Sequence, residues 1–255
     1  MVCVLLANIV AELTSSLLTN LGVSYLVAWV VEGVILFVVS LLIVWAALHF
    51  LSKKDFSVLG FDLKTCWFAD VLIGTAIAFV IISIGTAFIL LTNNAEIRFF
   101  TDSRVDYLLC SFVIIIFAAA AEEVLFRGYF LNVLTSVYGK NIAILISALI
   151  FSVFHLLNPD VSLLAFLNIF IAGILLGLLY VRKMNLWLPI VFHAVWNFLQ
   201  SILGYSVSGS GMPSIFTLEY SQTNLINGGE FGFEGSVVCT VLLLTTTIFV
   251  YRKTK

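Results

Sequence analysis

Long apolar runs broken by short polar connections dominate this chain. They cover Leu21–Phe50, Asp70–Leu91, Tyr107 to about Leu134, Asn141–Leu157, Val161–Val181, Leu186–Leu203 and Ser236–Tyr251. A helix needs about twenty mostly apolar residues to cross the hydrocarbon of a bilayer, and strand-like alternation is absent here. The pattern therefore predicts an all-α, polytopic transmembrane helix bundle. Residues 1–20 are diluted by Glu12, Thr14, Ser15, Ser16 and Asn20, and read either as an interfacial helix or as a first span. That gives seven spans, or eight. Three segments follow: N-terminal helices over 1–106, a central group over 107–203, and a Gly-rich extramembrane loop with a last span over 204–255.

The connections agree with this division. Leu51–Phe68 carries Lys53, Lys54, Asp55, Asp62, Lys64 and Trp67, a composition suited to the membrane interface. Thr92–Asp106 is polar and of mixed sign, and Asn158-Pro159-Asp160 makes a tight turn because proline cannot continue a helix. Gly204–Gly235 holds Glu219, Glu230 and Glu234 with no Lys or Arg. Gly74, Gly85, and Gly173 with Gly177 mark places where helices can approach closely.

Composition turns the pattern into a compartment. The chain is 62% hydrophobic and 10% charged, against about 25% charged in soluble domains. It cannot cover a water-facing surface, so it is an integral, multi-pass membrane protein. A net charge of −2 argues against a nucleic-acid partner. Cys3, Cys66, Cys110 and Cys239 are scattered without ligand spacing and read as core thiols. No basic segment or clear cleavage site precedes the first apolar residues, so a removed signal peptide is not expected. With a cytoplasmic C-terminus, strict alternation puts Lys53, Lys54, Lys64, Lys140, Arg182 and Lys183 inside with Arg252, Lys253 and Lys255. Only Arg98 and Arg104 fall outside.

Three polar sites interrupt the spans. Glu122, Glu123 and Arg127 lie in the run that begins at Tyr107, His155 closes the next, and His193 with Asn197 lies in Leu186–Leu203. Ionisable groups at such depth cost roughly 2.5–3.5 kcal/mol each on insertion scales and usually face a protein interior or a watery cavity. Glu123 and Arg127 are four apart and can pair along one face, while Glu122 lies about 100° round the helix. One carboxylate is then neutralised and its neighbour left free. A self-compensated cluster that only fixes packing is the competing reading, and a lone histidine in a bundle is more often a packing residue. His49, at the end of its span, reads as an interface residue. Spacing also puts His193 and Asn197 on one face, and Phe151 one turn behind His155. A carboxylate and an imidazole can activate a water, and histidine with asparagine can donate to a developing oxyanion. That assembly suits amide hydrolysis without a covalent intermediate.

EE-VLF-R at 122–127, F-SVF-H at 151–155 and H-AVW-N at 193–197 resemble the three motifs EExxxR, FxxxH and HxxxN of the CPBP family. These are the CAAX prenyl endopeptidase and bacteriocin-processing (Abi) membrane proteases. The order and separation also fit, over Tyr107–Leu203, and residues 227–235 (NGGEFGFEG) are similar to a glycine-rich segment of bacterial members. The resemblance makes 107–203 the catalytic core. It implies Glu122 as general base, His155 as its partner on the water, His193 and Asn197 as oxyanion donors, and supporting roles for Glu123 and Arg127. It further implies a peptide substrate, a prenylated or leader-peptide tail, in a bacterial cell membrane. No cofactor is favoured. A Zn²⁺ held by Glu122, His155 and His193 is the alternative, although the paired histidines of HExxH are absent. The oligomeric state is left open.

Rival protease chemistries lack their residues. The GYSVSGSG run at 204–211 lies in a loop, not in a span, and Asp70 has no GxGD partner. The runner-up is a non-catalytic bacteriocin self-immunity or scaffold protein. A proton-relay transporter is a weaker third, because broken helices in two matching halves are not evident. One tension remains: with both helices flush at the interface, Glu122 and His155 differ in depth by about 10 Å.

Overall fold

The computed structural model describes residues 2–61, 67–100 and 104–254. Asp62, Lys64, Cys66 and Lys255, used above for the interface, the orientation and the thiols, lie outside the described residues, as does the side chain of Cys3. The elements are α1 (Val2–Asn20), α2 (Tyr25–Ala46), α3 (Trp67–Leu91), β1 (Glu96–Phe99), α4 (Val105–Glu123), α5 (Asn132–Tyr138), α6 (Lys140–Phe154), α7 (Leu163–Val181), α8 (Trp187–Leu203), β2 (Phe216–Glu219) and α9 (Val237–Thr254). Among the described residues, six helical stretches are long and apolar enough to cross a membrane: Tyr25–Ser52, Trp67–Leu91, Val105–Tyr138, Lys140–Leu157, Leu163–Val181 and Val237–Thr254. α8 is a shorter apolar helix of 17 residues. α1 folds back along α2 through a turn at Gly22. The seven apolar runs are thus seven helical stretches of an all-α bundle, and Leu42, Phe79, Leu149, Leu167 and Phe249 stand exposed on its outside, as side chains that meet lipid do.

Two features depart from the pattern. β1 and β2 form an antiparallel ladder with Glu96 opposite Glu219 and Phe99 opposite Phe216, although strand signals are absent from the sequence. Four residues are too few for an alternation of period two to show. The ladder ties the Thr92–Asp106 connection to the Gly-rich loop. That loop is also not loose: Tyr205, Phe231, Phe233 and Glu234 are buried.

Inside the bundle α3 packs on α8, α2 and α8 on α4, α6 on α7, and α7 on α9. Gly173 and Gly177 serve as expected. A Cβ on Gly173 would lie 3.0 Å from Ala148, and one on Gly177 would lie 3.1 Å from Ile144, so α7 meets α6 nearly backbone to backbone. Gly74 stands likewise against the backbone of α8.

The depth tension resolves through the length of the motif helix. Helical geometry runs on past Leu134 to Tyr138, and Gly139, at φ +76°, turns the chain straight into α6. Glu122 lies sixteen residues before Tyr138 and His155 fifteen after Lys140. The two arms of this hairpin are therefore nearly equal in residue count, which removes most of the offset.

Candidate active site

The site is built where α4 changes character. Small residues, Ala118–Ala121, precede the acidic pair, and at Val124 the helix widens into a π-helical stretch that runs to Leu131. Such i→i+5 stretches recur at functional sites, where they re-aim side chains that a regular helix would hold elsewhere. Glu123 and Arg127 bracket the transition, and both are fully buried. Arg127 Nη1 donates to Glu123 Oε1 at 2.7 Å, Nη2 donates to the Gly173 carbonyl at 3.3 Å, and the guanidinium lies over the Phe151 ring at 4.3 Å. Charges this deep persist because each is answered by an opposite charge, a carbonyl or an aromatic face. The pairing expected from spacing is present.

Glu123 does more than neutralise Arg127. Its Oε1 also accepts from His193 Nδ1 at 3.0 Å. A carboxylate only accepts, so Nδ1 carries the proton and Nε2 is turned toward Glu122, whose Oε2 lies 3.9 Å away. Glu122 is the freer of the two acids: its side chain is 34% exposed, and its Oε2 has no hydrogen-bond partner among the described residues. The predicted division into one neutralised and one free carboxylate is what the chain displays.

His155 ends α6. Its Nδ1 donates to the Phe151 carbonyl at 2.8 Å, which leaves Nε2 outside that bond. Phe151 packs against it with tilted rings whose centroids are 4.5 Å apart, and its ring also stands edge-on to His193 at 6.1 Å. It is a hub between Arg127 and both histidines. His155 and His193 line one cavity of about 20 Å³ together with Phe151, Trp196, Ser208 and Glu234. That volume is about what one water molecule requires. Glu122 does not line this cavity and joins the cluster through His193. Asn197, one turn beyond His193 on α8, is half-buried and makes no hydrogen bond among the described residues. Among the described residues no three His, Cys, Asp or Glu side chains are grouped as a metal-ligand set.

Sequence reasoning passed over Glu234. It is buried, and its carboxylate accepts from Trp196 Nε1 at 2.7 Å, Gln200 Nε2 at 3.3 Å and Ser208 Oγ at 2.6 Å. The backbone around it is fastened to α7, where Asn168 Nδ2 donates to the carbonyls of Glu234 and Ser236 at 2.7 and 2.9 Å. The glycines explain how the loop fits. Gly228 and Gly232 have φ near +83° and +90°, and a Cβ on either would lie within 2.1 Å of a carbonyl oxygen. The signal was an acid flanked by Phe and Gly just ahead of a span, where a solvated loop has no use for such apolar neighbours.

Residues 104–199 match the family model described as Rce1-like, type II CAAX prenyl endopeptidase Rce1-like. The matched stretch runs from the start of α4 into α8 and contains all three motifs, which bears out the resemblance read from them. A comparison with curated proteins gives no match. The match supports protease activity in general terms, in a multi-pass membrane protein.

Proposed function

We propose that this chain is an intramembrane endopeptidase that hydrolyses a peptide bond in a membrane-associated peptide or protein tail. The observation that carries this is the Glu123–His193–Glu122 arrangement: an acid fixed by Arg127 holds the imidazole in one tautomer and aims its other nitrogen at a freer acid. A catalytic group oriented by a second, buried group is the recurring logic of hydrolytic sites.

In this reading Glu122 accepts a proton from a water as the water oxygen bonds to the scissile carbonyl carbon. His155 Nε2 accepts the second hydrogen bond of that water and fixes its direction. The charge that develops on the carbonyl oxygen is met by Asn197 Nδ2 and by His193 Nε2 when it carries a proton. Collapse breaks the C–N bond, and Glu122 returns its proton to the departing amine. This reading invokes no metal step. The family description points to a CAAX-type, prenylated tail, and a leader peptide meets the same chemistry.

A specific observation favours the runner-up, a non-catalytic immunity or scaffold protein: the Glu123–Arg127–Phe151 clamp would lock helix packing with or without turnover. One experiment separates the two. Peptides from cells expressing wild type and Glu122→Gln, at matched protein levels, are compared by terminal-selective mass spectrometry. Termini that vanish with Glu122→Gln establish the protease and reveal its substrate. Unchanged termini with an intact immunity phenotype establish the scaffold.

A further inference from the structure

Away from this site, α6, α7 and α9 leave a cavity of about 270 Å³ at the end of the bundle where α6 begins and the other two finish. Lys140, Arg182 and Lys253 line it, with no acidic side chain among its walls. None of the three has an ion pair among the described residues, whereas neighbouring Lys183 is neutralised by Asp70 at 2.7 Å. The cavity runs into an apolar groove of about 330 Å³ on the same helices, sharing Asn141, Ile144, Leu178 and Tyr251 and continuing past Leu145, Ile174 and Ile248. Thr247 also lines that groove, beside the polar Asn141 and Tyr251.

Cations in the last turn of a helix offset its dipole, and basic residues gather at the cytoplasmic end of membrane proteins generally. Neither effect requires a walled cavity opening into an apolar groove. A cationic pocket at the level where spans end and an apolar channel beyond it match phosphate and acyl chain in order. We propose that this is a site for an anionic phospholipid, with the phosphate among Lys140, Arg182 and Lys253 and one acyl chain in the groove. The ligand is resident and not cleaved: Ile144 and His155 are eleven residues apart on α6, about 16 Å. The site therefore does not depend on the proteolytic reading.

The test titrates the whole chain in detergent with phosphatidylglycerol and with phosphatidylcholine of identical acyl chains, counting bound lipid by native mass spectrometry. Three cations near one phosphate give an expected preference for phosphatidylglycerol of about tenfold or more. That preference collapses in K140Q/R182Q/K253Q and survives in K53Q/R252Q, which removes two cations that do not line the cavity. Equal affinity of wild type for the two lipids overturns the proposal. So does an equal collapse in the control variant, which would mean a diffuse surface attraction. Displacement of phosphatidylglycerol by inorganic phosphate at similar concentration would assign the cavity to free phosphate and overturn the lipid site. The wild-type comparison decides by itself if the triple variant fails to fold.

Discussion

Arg127 and Glu123 set what happens at the residue scale. Each is fully buried, and each is tolerable only because the other is present. Removing one partner of a buried pair leaves an uncompensated charge, which costs about 3–5 kcal/mol. Arg127→Met should therefore lower the detergent melting temperature sharply, while Arg127→Lys, which keeps the charge but loses the second contact at Gly173, should fall between it and wild type. Wild-type-like melting of Arg127→Met would show that the pair does not hold the bundle. Glu123→Gln separates support from structure. Its amide oxygen can still accept from His193 Nδ1, but the charge is gone, and loss of such an orienting partner costs about 10–100-fold in activity. The expected effect is on kcat far more than KM, with a displaced pH–rate profile. A purely structural Glu123 would instead change melting and leave the profile in place.

Helices and loops decide whether those residues meet. The apolar runs and the three motif spacings were legible because each needs only a local pattern: Glu123 to Arg127, Phe151 to His155 and His193 to Asn197 are all one turn of a single helix. Three things were not legible. The widening of α4 at Val124 has no composition of its own, so no local pattern marks the π-helical stretch that runs to Leu131. The selection of Glu123 as the acid beside His193 depends on how α8 crosses α4, seventy residues apart in sequence. The role of Glu234 depends on a loop folding back onto Trp196 and Gln200. That last element is testable. Glu234→Ala strands the Trp196 indole N–H in a buried place, at a cost of about 1–3 kcal/mol, and loosens the wall of the cavity shared by His155 and His193. Lower stability together with lower turnover is expected. Full activity at reduced stability would confine the loop to packing. The α6–α7 contact makes a sharper case. Gly173→Val adds bulk 3.0 Å from Ala148 and also pushes away the carbonyl that receives Arg127. Overpacking of this kind costs about 1–3 kcal/mol, and Ala148→Gly should recover part of it. Additive effects of the two substitutions on melting would mean the helices do not meet there.

The whole molecule has two unlike ends. Lys54 donates to Asn132 at the start of α5, Lys183 pairs with Asp70 at the start of α3, and Arg182 and Lys253 share a cavity with Lys140. Tertiary contacts thus gather at one end five of the basic residues that charge counting assigned to one side of the membrane. At the other end Arg98 is matched by Glu96 and Glu219, and Arg104 by Asp106, so the excess positive charge there is largely cancelled. The positive-inside rule then puts the lysine-rich end and its cavity in the cytoplasmic leaflet, and the β1–β2 ladder with the Glu234 loop outside. Gly211, exposed with no atom within 4 Å of an added Cβ, and Thr254 at the end of α9 report on the two sides. In a background with the native cysteines replaced, a membrane-impermeant maleimide should label Gly211→Cys on intact cells and Thr254→Cys only after lysis. The opposite pattern would turn the protein over and place the lipid cavity in the outer leaflet. It would leave the arrangement of Glu122, His155 and His193 unchanged, because that arrangement is fixed by helix packing and not by which side the loops face.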